Sequence, residues 1–380
     1  HTGSMPRNPQ VLALLRCKAA GEHLDQTAFD ALIDQEACST VRRQVEAGID
    51  VVNDGECAKP SFVTYVWERM AGFEPKRLEG NAAQAGPLSR GGRDEQMFPD
   101  YYNWLFAHNP FAEIIPITPH VCVAPISYTG SAQVGQDITR LKQAMSQAGA
   151  SEGFMTSATP IPNGGLNRHY GSESEFQAAY ADAIREEYKE ILDAGLLLQI
   201  DDPFMASSWD ARTDMSLKDY RKWAERRVEL LNHALRGLPA SRIRYHTCYG
   251  VNFGPRVSDL QLADIVDVLF KINAGAYSFE AANPRHEHEW RLFDRVGLPE
   301  DKVLIPGVIT HSNVMVEHPD VIADRIVRWA ETIGRDNLIV GNDCGFASVA
   351  GNAEIPMTVA WAKLRALGEG ARLATQRLWS

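Results

Sequence analysis

The chain has 380 residues, 44% of them hydrophobic and 23% charged, and carries a net charge of −11 at neutral pH. That balance excludes a nucleic-acid surface, which needs a concentrated basic face, and it opposes adsorption to an anionic membrane. No apolar run approaches the roughly 20 residues that span a bilayer, and the six cysteines lack the spacing of a disulfide framework, so a soluble enzyme of the reducing cytoplasm is expected.

The chain opens on HTGSMPR. This segment reads either as the remnant of a tag ahead of Met5 or as the end of a first β-strand that reaches an active site. The next strand, IDVVNDGE over residues 49–56, ends on Glu56. Residues 75–109 fit no regular element: a polar, glycine-rich part precedes the aromatic FPDYYNWLF, and together they read as an insertion that serves as a lid or an interface. Strands are then expected at 121–128 and 153–160, followed by a long amphipathic helix over 175–195. LLLQIDDP ends on Asp201 and Asp202, IRYHTCYG on His246 and Cys248, and AYSFEAANP on Glu280. VLIPGVITHSN runs into His311, a helix follows over 318–334, and LIVGNDCGF ends on Asp343 and Cys344.

Alternating strands and helices imply a parallel sheet covered by helices. Titratable residues at so many strand ends imply that those ends converge, which is the (β/α)8 TIM barrel; the glycine-rich turn of a dinucleotide-binding sheet is absent. The whole chain, 1–380, reads as one catalytic barrel with the 75–109 insertion after the second strand. The strand count comes to nine, one too many, and 121–128 is the suspected surplus.

His246 and Cys248 alternate along one strand, so both side chains face the same way at its end. That pair alone is weak evidence for a metal. Cys344 and Glu280, at the ends of later strands, complete a Zn2+ set of imidazole, two thiolates and a carboxylate. Such a set suits a catalytic position that opens to an incoming thiol, which zinc would deprotonate to a nucleophile. His286 and His288 in RHEHEWRLF read instead as the exposed first turn of a helix, and the Tyr101, Tyr102, Trp104 cluster reads as packing.

In order and spacing, VRRQVEAGIDVVNDGE, QIDDP, YHTCYG, PGVITHSN and NDCGF resemble the catalytic barrel of cobalamin-independent methionine synthases and their single-barrel relatives, a group that includes epoxyalkane:coenzyme M transferases. The family also begins its barrel with a Gly-Ser-hydrophobic-Pro segment, which favours the strand reading of HTGSMPR and places Gly3 and Ser4 at the substrate's amino-acid end. The resemblance implies His246, Cys248, Glu280 and Cys344 as zinc ligands, Glu56 and Asp201 as partners of the homocysteine ammonium, and His311 as the acid that protonates a leaving group. Asp202, which stands where the family has a glutamate, joins His311 as a catalytic candidate. The alternative reading of Glu56 and Asp201 is a surface or capping carboxylate, and that of His311 is a satisfied loop histidine. The stretch from Cys248 to Glu280 is longer than the family's.

The implied reaction is methyl or other alkyl transfer to a small-molecule thiol, with a folate or a corrinoid protein as donor and a homo-oligomer possible. Two other readings remain at this level. One is a metal-free barrel like uroporphyrinogen decarboxylase, in which both cysteines are replaceable; the other is a non-catalytic barrel that binds a zinc-thiol or corrinoid partner.

Overall fold

The computed structural model describes residues 1–76, 90–108, 114–115, 117–250, 254–352 and 355–380. Ten strands are present among them: β1 (Val51–Val52), β2 (Met70–Pro75), β3 (His120–Tyr128), β4 (Glu152–Ala158), β5 (Gly165–Asn167), β6 (Leu197–Asp201), β7 (Ile243–His246), β8 (Ala276–Phe279), β9 (Val303–Ile309) and β10 (Gly341–Asn342). Seven form one curled sheet in the order β1-β4-β6-β7-β8-β9-β10, every pairing parallel. The strands β6 to β9 are short and largely buried on both faces, as a parallel sheet under helices requires.

Residues 1–5 occupy the eighth stave between β10 and β1. Met5 N–H donates to Gly55 O at 3.1 Å on one side, and Phe346 N–H donates to Ser4 O at 2.9 Å on the other. Arg7 fastens this segment, donating to the carbonyls of Met5, Ala347, Glu56 and Lys59. The architecture is thus a TIM-like barrel, and the expected surplus strand is β3. It pairs antiparallel with β2 and parallel with β5 in a separate three-stranded sheet. That small sheet packs its Phe73 against Phe176 and Tyr180, which lie on helix Glu173–Asp193.

Helices cover the barrel, and their ends carry the capping that their sequences supply. The side chain of Asp25 accepts from Ala28 N at the start of helix Gln26–Glu46, and that of Ser172 accepts from Glu175 N at the start of helix Glu173–Asp193. The main core lies between sheet and helices, and a smaller cluster around Val11, Leu15, Phe29 and Ile33 seats the first two helices. No described helix is long and apolar enough to cross a membrane. Part of the 75–109 stretch, residues 77–89 and 109, lies outside the described residues. The rest forms two short helices, Arg93–Met97 and Pro99–His108, and Arg93 docks on the loop after β6 by donating to the carbonyls of Trp209, Arg212 and Met215.

Candidate active site

β7 delivers His246 at its carboxyl end, and Cys248 follows two residues on. The loop after β10 brings Cys344 against them: the two sulfurs stand 3.1 Å apart, unbonded, and the ligand atoms of all three residues lie within 4.8 Å of one another. Ser278 Oγ meets His246 Nδ1 at 3.2 Å, while the buried Nε2 has no partner among the described residues. Burial, with Arg244 and His311 nearby, lowers the His246 pKa to about 3, so the imidazole is neutral. The Cys248 thiol is pushed well up, by its hydrogen bond with Cys344 first and by burial second. A neutral imidazole with Nδ1 at a hydroxyl and Nε2 unpartnered among the described residues, beside two thiols, is a donor set that fits a metal ion.

Glu280 stands in a second cluster, with His311 and Asp343, whose ligand atoms also lie within 4.8 Å of one another. Its carboxylate accepts from Tyr249 N, Arg256 and Asn283. Burial lowers the His311 pKa to about 4, and burial together with Glu280 raises that of Asp343. Asp343 reaches this place because β9 has Gly307 beside it, where an added methyl carbon would come within 2.7 Å of the Asp343 backbone nitrogen.

The third group is a pair of carboxylates. After β1 the chain turns through Asn53-Asp54-Gly55-Glu56. Asn53 Oδ1 accepts from Gly55 N at 2.5 Å and Asp54 Oδ1 from Glu56 N at 2.9 Å. These side-chain turns hold Glu56 at φ 55°, a left-handed conformation that few non-glycine residues adopt. Glu56 is buried; its Oε1 accepts from Thr156 Oγ1 at 2.5 Å and its Oε2 has no partner among the described residues. Burial and the charge of Glu56 push the Asp201 pKa well up, and Gln199 holds Asp201 by a 2.8 Å hydrogen bond. Gly3, at φ 124°, lies against Glu56, and an added methyl carbon there would come within 2.9 Å of Thr156.

A small cavity joins the metal-ligand set to the carboxylate pair. Ser4, Glu56, Asp201, His246, Cys248 and Cys344 line it with Thr2, Phe62, Pro203 and small residues, and no lysine or arginine is among the described lining. The structure therefore brings to one space all the expected site residues except four. Gly3 borders Glu56, Glu280 and His311 form the adjacent cluster, and Asp202 points away. The Asp202 carboxylate pairs with Arg227 at 2.6 Å in the helix layer and accepts from Tyr245, because the residue after an inward-facing strand residue points outward.

His286 departs from the exposed turn expected of it. It is fully buried between Asp259 and Glu289, stacked on Tyr249, and those carboxylates raise its pKa to about 9 against the opposing effect of burial. Sequence reasoning also missed Asp343 as a member of the second cluster, although its place beside Cys344 at a strand end was a usable signal. Arg256 was missed too, and the long stretch between Cys248 and Glu280 that holds it was the only signal.

Fold and site together define a TIM-like barrel whose strand ends gather two thiols and an imidazole at one end of a cavity and two carboxylates at the other. Residues 113–364 match the family described as Cobalamin-independent synthase, Catalytic domain, and the chain belongs to that family. It is 25% identical over 382 aligned positions to a methionine synthase of Saccharolobus islandicus (strain Y.G.57.14), covering 99% of this chain and 94% of that protein. A methionine synthase of Thermococcus kodakarensis is 25% identical over 351 positions, 90% of this chain and 84% of that one. Among solved structures, a B12-independent methionine synthase from Shewanella sp. W3-18-1, in complex with selenomethionine, has a TM-score of 0.71 at 20% identity, covering 100% of this chain and 97% of that chain. A putative vitamin-B12-independent methionine synthase from Listeria monocytogenes has a TM-score of 0.64 at 20% identity with the same coverage.

Proposed function

We propose that this protein is a zinc-dependent enzyme that transfers a methyl group to the thiol of homocysteine or of a closely similar amino-thiol. The observation that carries the reading is that His246 Nε2 lies beside two thiols in a cavity that also holds the Glu56 carboxylate, and that neither Nε2 nor Glu56 Oε2 has a partner among the described residues. His246, Cys248 and Cys344 would hold the ion, with Glu280 as the further ligand. Bound zinc would act as a Lewis acid that lowers the pKa of the substrate thiol enough for a thiolate to exist at neutral pH.

The protein's own groups do the rest. Glu56 and Asp201 bind the ammonium of the substrate, which relieves their mutual repulsion and satisfies Glu56 Oε2. Ser4 and the backbone around Gly3 receive its carboxylate. Fixing both ends of the amino acid turns the thiol toward the cysteines and His246 and restricts its attack to one line. A basic nitrogen leaving group has to be protonated as it departs, and His311, neutral at rest, would pass that proton on as a relay, taking it up from Asp343 beside it or from solvent. The donor is a folate or a corrinoid protein. The chain covers 94% of the S. islandicus relative, whose name supports homocysteine as acceptor and whose size supports a single barrel as sufficient.

The lining favours an ammonium-bearing thiol over the sulfonate of coenzyme M, since it offers two acids and, among the described residues, no guanidinium or amine. The same lack weighs against a decarboxylase-like site, which needs a cation for its carboxylate substrate. Six cysteines without the spacing of a disulfide framework suit a reducing compartment such as the cytoplasm.

Elemental analysis of protein purified without chelators tests the reading. About one zinc per chain is expected in the wild type, with loss of that zinc and of homocysteine methylation in Cys344→Ala. Wild-type protein free of zinc would overturn it.

A further inference from the structure

Lys59 is a buried lysine, 5% exposed, that follows Glu56 by one turn of chain, its N–H donating to Glu56 O at 3.0 Å. Its ammonium donates to Thr156 O at 2.7 Å and to Thr156 Oγ1 at 3.0 Å, and lies 4.3 Å from the centroid of the Tyr65 ring. Among the described residues those hydrogen bonds go to Thr156 alone, so no carboxylate pairs directly with this charge. A buried ammonium needs a counter-charge within reach. Through the threonine hydroxyl it reaches Glu56, whose Oε1 accepts from Thr156 Oγ1 at 2.5 Å.

Thr156 has one hydroxyl proton, and an ammonium donates without accepting. Thr156 Oγ1 therefore takes a hydrogen bond from Lys59 and must direct its own proton to Glu56. The contacts run one way, from cation through hydroxyl to carboxylate, and hydrogen bonds so aligned polarise and strengthen one another. They occupy Oε1 and leave Oε2 as the oxygen without a partner among the described residues. Thr156 lies in β4, between β1, which leads into Glu56, and β6, which ends on Asp201, so strand order puts the bridging hydroxyl between the two acids' strands. Arg7 also comes near Glu56, but it donates to the backbone carbonyl there.

We propose that Lys59 is a positioning residue for the ammonium of the acceptor thiol: through Thr156 it fixes the direction of the hydrogen bond to Glu56 and keeps that carboxylate charged, with one oxygen open to the substrate. The inference rests on the reading that Glu56 and Asp201 receive the ammonium, and it adds a cation that is not among the described lining of the cavity. Without Lys59, Glu56 would be a buried carboxylate beside a second one with no cation coupled to its side chain, and such a pair takes up a proton. A neutral acid does not hold an ammonium by charge. Without the Thr156 hydroxyl the same link is cut at its middle.

The test compares the affinities of L-homocysteine and of 4-mercaptobutanoate, the same thiol without its amino group, by isothermal titration calorimetry on the full chain at neutral pH. Both ligands carry the thiol and the carboxylate, so their ratio cancels what a metal contributes. Lys59→Met and Thr156→Val are each expected to weaken L-homocysteine by about 10-fold or more and 4-mercaptobutanoate by less than about 3-fold. Thr156→Ser, which keeps the hydroxyl, should stay within about 3-fold of wild type for both ligands. The double variant Lys59→Met with Thr156→Val should be within about 3-fold of the weaker single variant, because either change breaks one link. A merely structural role would weaken both ligands alike, and equal losses, or no loss in Thr156→Val, would overturn the inference. The comparison of Thr156→Val with Thr156→Ser decides even if Lys59→Met fails to fold. If Glu56→Gln leaves the preference for L-homocysteine intact, the ammonium reading and this inference fall together. If Glu56→Gln abolishes that preference while Lys59→Met and Thr156→Val keep it, this inference alone falls.

Discussion

Cys248 Sγ and Cys344 Sγ stand 3.1 Å apart although 96 positions separate them in the chain. In zinc-free protein that proximity would make the pair a site of oxidation, since a thiolate can reach its neighbour with little movement. Mild oxidation of zinc-free protein should link the two, block zinc uptake and reverse with a thiol reductant. Prior loading with zinc should protect both. Peptide mapping that finds the Cys248 and Cys344 peptides unlinked after treatment would count against a shared, metal-ready pair.

Glu56 and Asp201 repel each other in a buried space, and Asp201 titrates well above its usual range because of burial and Glu56. A carboxyl with a raised folded-state pKa contributes stability that is present below its unfolded pKa and is lost as pH rises toward the folded one. Asp201→Asn should therefore raise the melting temperature of the substrate-free protein. The gain should be larger at pH 8 than at pH 4. The same variant should raise KM for homocysteine on the order of 10-fold to 100-fold while hardly affecting a thiol that lacks the amino group. Equal losses on both thiols would remove the ammonium role.

His311 is neutral at rest, its pKa lowered to about 4 from an ordinary 6.5 by burial. The folded state then binds fewer protons than the unfolded chain between these values, so the stability involved is intact above pH 6.5 and is lost as pH falls toward 4. His311→Asn should flatten that part of the stability curve in denaturant titrations. It should also lower kcat by about 100-fold to 10,000-fold for a donor whose leaving group needs a proton, with KM for the thiol little changed. A donor whose leaving group departs unprotonated should be affected far less.

Asp202 pairs with Arg227 at 2.6 Å, both buried. Removing one member of such a pair strands the other, at a cost of about 3–5 kcal/mol. Asp202→Ala should lose stability of that order in urea unfolding while the thiol's KM stays within about 3-fold of wild type. A large kinetic effect with unchanged stability would return Asp202 to the reaction.

Much of this arrangement could be read along the chain. Strand runs that stop at titratable residues pointed to converging strand ends, and two-residue alternation placed His246 and Cys248 on one side of a strand end. The Asn-Asp-Gly-Glu turn is local as well, because its side chains bind backbone two residues on. The same alternation, applied to Asp201 and Asp202, would have separated a cavity residue from a packing residue.

Other features depended on contacts between distant segments. Which cysteine meets Cys248, which cluster receives Glu280 and why His286 is buried all turn on how loops from separate strands pack together. Arg256 carries no pattern of its own, and its aim at Glu280 depends on Asp94, 162 positions earlier, holding its backbone. Local sequence thus decided strand periodicity, caps and turns, since these act over a few residues. Tertiary structure decided the partner of each buried charge, because a charge removed from water takes whichever opposite charge the fold brings within reach.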